Sequence, residues 1–281
     1  MSIKAKVSGS YVTTTPSVKV AGTWTKVKKV YAKRSGSWST PLYEYEWIYT
    51  FSAAIHTDVD VDTISGIDKY HNVRIIIPSG ATLVASSTST YALRTGVGYG
   101  GTLTIQNAGK ILGRGGRGGN GGTSGSGGNA GPAGTAGSAG GACIYIEHPV
   151  TITNTGTIAG GGGGSGGGGS GGGDSNWSNY YAGGGGGGGG APYGAGGSKG
   201  SGSEGRTGSN GNAASLTTRG TGGAGSSHSE GVGRAGGHGG AYGANGSGAS
   251  SGTGQFASGG GSAGAAGATY YNPSTFTIAT S

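Results

Sequence analysis

The sequence predicts a mostly β protein with little or no α-helix, in which strands carry a bundle of glycine-rich helices of the polyglycine II type. Two internal repeats that combine turn glycines with alternating segments indicate the β structure. Glycine supplies 74 of the 281 residues, and from Gly113 to Gly140 it occupies every third position without a break. We therefore expect a small β attachment module at 1–50, a β-rich domain at 51–112, and a glycine-rich bundle with interspersed strands and loops at 113–281.

The first 50 residues repeat one short pattern, Lys-x-x-Gly-Ser/Thr-aromatic. It occurs as KVSGSY at 6–11, KVAGTW at 19–24 and KRSGSW at 33–38. A turn glycine between alternating segments predicts successive β-hairpins, in which each aromatic side chain supplies buried area. This segment holds +6 of the net charge of +8. Because lysines beside aromatics are typical of the solvated face of small strands, we expect an attachment or spacer module and no nucleic-acid partner.

The segment 51–112 contains a buried strand, NVRIIIP, followed by a Pro-Ser-Gly turn. Before them, Asp58, Asp60 and Asp62 alternate along the chain. An EF-hand loop would need glycine and glutamate where Thr63 and Lys69 stand, so that motif is excluded. A looser cation site and a solvated acidic strand face both fit the spacing. We favour the acidic face and expect neither a metal site nor a cofactor.

A second repeat connects the strands with the glycine tracts. The segment 103–113 aligns with 150–160, with six of eleven residues identical at an offset of 47. Each copy reads as a strand, an Asn-x-Gly turn, a second short strand and then a glycine tract, which predicts stacked β coils. The alternating segment 274–280 predicts a last strand that returns to cover this body. The lone Cys143 lies in an apolar run and is expected to be buried.

Glycine at every third position matches the polyglycine II helix, which has three residues per turn and rises about 3.1 Å per residue. That helix has no internal hydrogen bonds, so its backbone groups need partners on neighbouring segments. A collagen triple helix of three chains and a bundle formed by one chain both provide them. The ten-glycine run holds one proline, Pro132, and later tracts break phase, which favours the bundle.

The glycine tracts are interrupted by segments that combine aromatic and polar side chains, a composition typical of binding surfaces. Local packing of the rings on glycine faces is the alternative, and we favour it for Tyr193 and Tyr242. The candidate binding residues are Asp174, Asn176, Trp177, Tyr180, Tyr181, Arg219, His228, Gln255 and Phe256.

Catalytic patterns find no support in the sequence. The five histidines are scattered without metal-ligand spacing, and GRGGRGGNGG lacks the Lys-Ser/Thr that completes a phosphate-binding loop. Polysaccharide hydrolysis would need paired acids in a groove, and the only dense acidic set lies outside the loop-rich half. We expect a protein that is not an enzyme.

The stretch from Asn72 to Gly122 and the second unit from Val150 resemble the glycine-rich tail proteins of tailed bacteriophages. Those proteins carry an IPSG-like turn followed by TLxIxNxGxIxG and glycine tracts, as at 77–80 and 102–113 here. The interrupted tracts of 160–268 also resemble the distal tail-fibre adhesins of T-even-type phages. In those adhesins, polyglycine helices form a sandwich and the loops between them contact outer-membrane proteins or surface glycans. The front end of this chain departs from their pattern.

This resemblance implies a tail-fibre or tail-tip receptor-binding protein on the virion, outside the cell. Its implied partners are a bacterial surface receptor, other phage tail proteins and, if the chain forms the fibre itself, two further copies in a homotrimer. The absence of a signal peptide and of an apolar stretch near eighteen residues agrees with release by lysis. Two alternatives remain open, a purely structural virion component and an ice-binding protein.

Overall fold

The structure is a computed structural model, and it describes residues 4–7, 10–13, 17–27, 29–30, 33–34, 37–38, 43–125, 129–173, 181–229 and 231–280. Over these residues the chain forms short strands, two 3₁₀ turns and no α-helix. The prediction of a mostly β protein with little helix is confirmed. In the same residues, no helix has the length and apolarity needed to cross a membrane.

The first eight strands form small antiparallel pairs. They are β1 (Lys4–Val7), β2 (Ser10–Thr13), β3 (Ser17–Val20), β4 (Thr23–Lys26), β5 (Lys29–Val30), β6 (Lys33–Arg34), β7 (Ser37–Trp38) and β8 (Tyr43–Glu44). The three sequence repeats coincide with the hairpins β1–β2, β3–β4 and β6–β7, as predicted. In each hairpin the lysine of the pattern pairs across the turn with the aromatic residue, as Lys19 does with Trp24.

One expectation for these hairpins is wrong. The Trp24 side chain is 69% exposed instead of buried. Val18 and Val20 on the opposite face of the same hairpin are exposed as well. A two-stranded hairpin has no second layer to cover either face, so its aromatic side chain finds no core there.

The next strands form three parallel sheets. They are β9 (Glu46–Thr50), β10 (Ile55–Thr57), β11 (Val59–Asp60), β12 (Asn72–Ile77), β13 (Thr82–Val84), β14 (Leu93–Arg94), β15 (Leu103–Asn107), β16 (Lys110–Leu112), β17 (Ile144–Tyr145), β18 (Val150–Asn154) and β19 (Thr157–Ala159). After the hairpin β20 (Ser227–His228) and β21 (Gly231–Val232), the chain ends with β22 (Tyr270–Tyr271) and β23 (Ile278–Thr280). The 3₁₀ turns are η1 (Val61–Thr63) and η2 (Ser203–Gly205).

These strands build a coiled β body in which each coil adds one strand to each sheet. The sheet orders are β23-β18-β15-β12-β9, β10-β13-β16-β19 and β11-β14-β17-β22. The last strand, β23, pairs with β18, so the predicted closing strand is confirmed. Glycine tracts leave the body after β16 and after β19 and return to it at β17 and β22, which interleaves the bundle with the coils.

The two copies of the second sequence repeat lie in consecutive coils and stack on each other. Leu103 pairs with Val150 and Asn107 with Asn154, each 47 residues apart, so the predicted coil stacking is confirmed. Inside the body, Ile75, Ile105 and Ile152 stand in register and are fully buried. Burying a side chain of this size contributes about 1.5–3 kcal/mol.

Each of the three alternating aspartates is engaged by groups of the protein itself. Asp58 accepts hydrogen bonds from the Ser86 backbone and hydroxyl and from the Thr90 hydroxyl at 2.9 Å. Asp60 caps η1 through the Asp62 N–H at 3.0 Å. Asp62 forms a 2.7 Å ion pair with Lys69. Among the described residues no group of three His, Cys, Asp or Glu side chains is arranged to hold a metal ion.

The glycine-rich segments run back and forth as ten tracts of one chain. They are tract 1 (113–125), tract 2 (129–141), tract 3 (160–173), tract 4 (182–191), tract 5 (194–202), tract 6 (207–214), tract 7 (220–226), tract 8 (233–241), tract 9 (244–253) and tract 10 (257–268). Backbone hydrogen bonds between neighbouring tracts recur every three residues, the period of the predicted helix. The ten-glycine run spans tracts 1 and 2, which are antiparallel, as in the bond from Gly141 N–H to the Arg114 carbonyl.

The hydrogen bonds place the tracts in three layers of three, four and three. The order is 2-1-5 in one outer layer, 10-3-4-6 in the middle and 9-8-7 in the other outer layer. Tract 3 bonds with six neighbours, namely tracts 1, 2, 4, 8, 9 and 10, and tract 4 bonds with tracts 1, 3, 5, 6, 7 and 8. Every residue of these two central tracts is buried. The bundle therefore has a core made of backbone.

The number of neighbours explains how much glycine each tract contains. Tract 2 has three neighbours, and before its last residue, Gly141, glycine occupies only the single inward position of each turn. All three positions of tract 3 face other backbones, and apart from two serines it is glycine throughout. A Cβ atom on Gly164, for example, would collide with the Arg117 carbonyl. The serine hydroxyls are bonded, Ser165 to the Gly237 carbonyl at 2.6 Å and Ser170 to the Ser258 hydroxyl at 2.8 Å.

Candidate functional site

The loops of the bundle gather at its two ends. Tract 3 leaves strand β19 and runs away from the coiled body, and each following tract reverses direction. Among the described connections, those after tracts 5, 7 and 9, together with Tyr181 before tract 4, therefore lie at the end remote from the body, called the far end here. The connections after tracts 4, 6 and 8 lie at the near end, beside the body.

The far-end loops are joined to one another by short hydrogen bonds. The Ser203 N–H donates to the Tyr181 carbonyl at 3.0 Å, which joins the residue before tract 4 to the loop after tract 5. The Arg206 guanidinium donates to the Ser227 carbonyl at 3.0 Å, and the Ser226 hydroxyl donates to the Arg206 carbonyl at 2.7 Å. These contacts fix the η2 turn against the β20–β21 hairpin.

A further pair of bonds continues this chain of contacts. The N–H groups of Val232 and Thr253 donate to each other's carbonyls at 3.3 and 3.0 Å, which joins the hairpin to the end of tract 9, where the next loop begins. The loops after tracts 5, 7 and 9, together with Tyr181, thus form one continuous surface. The tracts beneath them are held along their whole length by neighbouring backbones, so the surface stands on a fixed base.

Several predicted binding residues lie on this far end. Gln255 is exposed and Phe256 is half-buried in the loop after tract 9, and the half-buried His228 lies in β20 with its ring 2.9 Å from the Ser229 hydroxyl. Tyr181 also lies there but is buried, with 3% of its surface exposed. The predicted residues Asp174, Asn176, Trp177 and Tyr180 fall outside the described residues.

Arg219 does not lie with the other predicted residues. It is exposed at the near end, in the connection between tracts 6 and 7. The seven residues of tract 7 separate it from His228 by on the order of 20 Å. Other side chains at the near end have packing roles. The Arg114 guanidinium lies 5.2 Å from the centre of the Tyr193 ring, and the Tyr242 hydroxyl donates to the Leu216 carbonyl.

Sequence reasoning missed Ser203, Arg206 and Thr253 as parts of the far end. The segment SGSEGRTGS at 201–209 contains the available signal, because it breaks the glycine phase with Glu204 and Arg206 as the other interruptions do. This segment contains no aromatic residue, so its residues were not predicted to bind a receptor. The structure shows that Arg206 links two loops.

A rigid scaffold that presents a continuous set of loops is the architecture of a binding protein, in which positioned loops carry recognition. The sequence assigns this binding protein to a class: a profile described as phage tail fibre adhesin Gp38 matches residues 47–281. The chain belongs to this family. It is a receptor-binding adhesin of the phage tail, which places it on the virion and outside the cell, and the resemblance inferred from the sequence is confirmed. The family is one of adhesins and not a class of enzymes.

The comparison with solved structures gives one similar chain. It belongs to the crystal structure of the gp37-gp38 adhesin tip complex of the bacteriophage S16 long tail fibre. The two chains share 26% identity with a TM-score of 0.45, over 85% of this chain and 82% of that chain. Among curated proteins none matches this sequence significantly. The attachment module predicted at 1–50 lies almost wholly before the family match, which begins at residue 47.

Proposed function

We propose that the adhesin binds its receptor, an outer-membrane protein or a surface glycan of the host bacterium, through the far-end loops of the glycine bundle. The observation that carries this proposal is the continuous surface that three loops and Tyr181 form at the end of a bundle with two wholly buried central tracts. Loops held in one arrangement lose little conformational entropy on binding, so aromatic and polar side chains on them give affinity efficiently.

The two halves of the chain have different roles in this proposal. The near end of the bundle is tied to the coiled body, where two pairs of strands, β16/β17 and β19/β22, flank the glycine insertions. The far end is the end that points away from this body. We infer that the basic hairpins before the coiled body face the other tail proteins, that the body supports the bundle, and that several copies on one particle add avidity.

The bundle itself requires no second chain. Each of the two central tracts is already surrounded by six tracts of this chain, which supports a bundle over a collagen-like triple helix. The homotrimer stays a prediction, and its contacts would be formed by the coiled body and the hairpins. A purely structural role is the rival function, and it differs by predicting no selective attachment to bacteria.

The test is adsorption of the fluorescently labelled protein to a panel of bacterial strains that includes hosts of the parent phage. The variant replaces 174–180 by a Gly/Ser linker and keeps Tyr181 and Ala182, since Ala182 exchanges backbone bonds with Gly171. We expect strain-selective adsorption that the replacement abolishes, with an unchanged melting temperature.

The matched control is Arg219→Ser, an exposed change at the near end that should leave adsorption intact. Absence of adsorption to strains that the phage infects would contradict the proposal and favour the structural role. Adsorption that survives the replacement of 174–180 but is lost in Arg219→Ser would move the receptor site to the near end.

A further inference from the structure

A cleft of about 590 Å³ opens on the coiled body, along the sheet formed by β11, β14, β17 and β22. This volume lies within the range of about 300–1,000 Å³ that small-ligand sites occupy. The proposed function makes no use of the cleft, because the receptor loops lie at the far end of the bundle and the cleft belongs to the body. Its residues come from four consecutive coils and from the loop before β14.

Three tyrosine rings form one wall of the cleft. The ring centroids of Tyr91 and Tyr145 are 4.9 Å apart, and those of Tyr145 and Tyr271 are 5.3 Å apart. The planes are inclined by 24° and 17°, so the rings are nearly parallel. The pairing of β17 with β22 sets Tyr145 directly beside Tyr271. The Tyr91 and Tyr271 centroids are 5.7 Å apart, so each ring contacts the other two. Tyr271 lies on an edge strand and is 46% exposed, which leaves an aromatic surface open to solvent.

The polar side of the cleft is already held in place by internal bonds. The Arg94 guanidinium lies 5.3 Å from the centre of the Tyr145 ring, bonds to Glu147 and lies 3.6 Å from an Asp60 carboxylate oxygen. Asp58 is held by Ser86 and by Thr90. Both carboxylates of the cleft therefore have partners, and an additional cation would have to compete with Arg94.

We propose that this tyrosine cleft binds a neutral saccharide. A sugar ring has an apolar C–H face that stacks on an exposed aromatic face, and hydroxyl groups at its edge that need fixed donors and acceptors. Tyr271 supplies the first surface, and the groups around Arg94, Asp60 and Thr90 supply the second. A flat apolar wall with a few positioned polar groups is the usual composition of a small-ligand site.

The site would be separate from the receptor-binding loops. A saccharide bound on the body brings the virion to the cell surface without engaging the far end. Two weak sites on one protein strengthen attachment when they bind together, because the second contact is intramolecular. The two sites are nevertheless independent of each other. If one of them does not bind, the other still can.

The test is a calorimetric titration of the whole protein. The titrant is a set of oligosaccharides prepared from the surface polysaccharide of a susceptible strain. We expect binding that Tyr271→Ala weakens at least about tenfold, equal to about 1.4 kcal/mol, while Tyr271→Phe keeps the ring and stays within about threefold. Tyr70→Ala is the matched control, because Tyr70 is 84% exposed and lies outside the cleft. The control should bind as the unaltered protein does.

Three results would overturn the proposal. One is the absence of oligosaccharide binding, and another is binding that Tyr271→Ala leaves unchanged. The third is Tyr271-dependent binding of tetramethylammonium in place of the sugar, which would make the cleft a cation site. The protein with 174–180 replaced should still bind the oligosaccharides, so loss of cell adsorption and loss of sugar binding remain distinguishable.

Discussion

The side-chain amide of Asn107 donates a hydrogen bond of 2.7 Å to the side-chain oxygen of Asn154, 47 residues later. The two asparagines occupy the same position in successive copies of the sequence repeat, and the parallel pairing of β15 with β18 sets them side by side. Asn107 is buried and also accepts a bond from the Gly109 N–H at 3.1 Å, which forms the turn that follows the strand. One residue thus ties a turn to the coil above it.

Replacement of Asn107 by alanine should destabilise the coiled body. The change removes the bonds to Asn154 and to Gly109, whose N–H keeps only its 3.2 Å bond to the Ile77 carbonyl, and the loss of these bonds costs about 1–3 kcal/mol. The free energy of unfolding from urea denaturation measures the effect. Asn154→Ala is the control, because it removes only the bond between the two side chains, and the Asn107 amide keeps its 3.3 Å bond to the Thr157 carbonyl. Equal losses in the two variants would contradict the role assigned to the turn bond of Asn107.

Glycine should be indispensable in the central tracts and replaceable at chosen outer positions. A Cβ at Gly164 meets the Arg117 carbonyl of a tract fixed by its own hydrogen bonds, so Gly164→Ala should cost about 3 kcal/mol, at the upper end of overpacking effects. Gly248 is exposed and its added Cβ has no atom closer than 3.8 Å. Gly248→Ala should stabilise by about 0.4–1 kcal/mol through the unfolded chain. Calorimetric melting of both variants gives the comparison, and similar shifts for the two would refute the neighbour-count explanation.

The sequence predicted those features that depend on local chemistry or on visible repetition. The hairpins follow from turn glycines, and the coil stacking follows from the offset of 47 between 103–113 and 150–160. The reversal between tracts 1 and 2 was hidden, because both antiparallel tracts keep the same three-residue period and the same phase. The place of Arg219 was not predictable either, since it depends on how many reversals precede it along the chain. The prediction that the Trp24 side chain is buried was wrong, because burial needs a second layer of structure and a local sequence pattern does not reveal one.

The only cysteine should be unreactive in the folded protein. Cys143 is fully buried, its thiol donates to the Thr269 carbonyl at 2.8 Å, and burial raises the pKa of the thiol to about 12. A disulfide reagent at pH 8 should modify one thiol per chain in urea and almost none in buffer. Rapid modification of the native protein would contradict this burial.

The same pKa shift predicts a dependence of stability on pH. The folded state holds the neutral thiol, so its contribution is complete below the ordinary thiol pKa of about 9 and is lost as pH rises towards about 12. The difference in unfolding free energy between the unaltered protein and Cys143→Ala should therefore narrow above pH 9. A difference that stays constant to pH 11 would show that the thiol titrates alike in both states.

Single substitutions should map the receptor surface to the far end. Gln255 and Phe256 lie in the loop after tract 9, whereas Arg219 is exposed at the near end. We expect Gln255→Ala and Phe256→Ala each to weaken adsorption to a susceptible strain by about tenfold, or about 1.4 kcal/mol, because recognition concentrates in few residues. Arg219→Ala should change it less than about twofold. Equilibrium adsorption isotherms of labelled protein measure all three. Melting temperatures separate loss of binding from loss of fold, since Phe256 lies against tract 3 at Gly172. If only Arg219→Ala weakened adsorption, the surface that meets the host would be the near end.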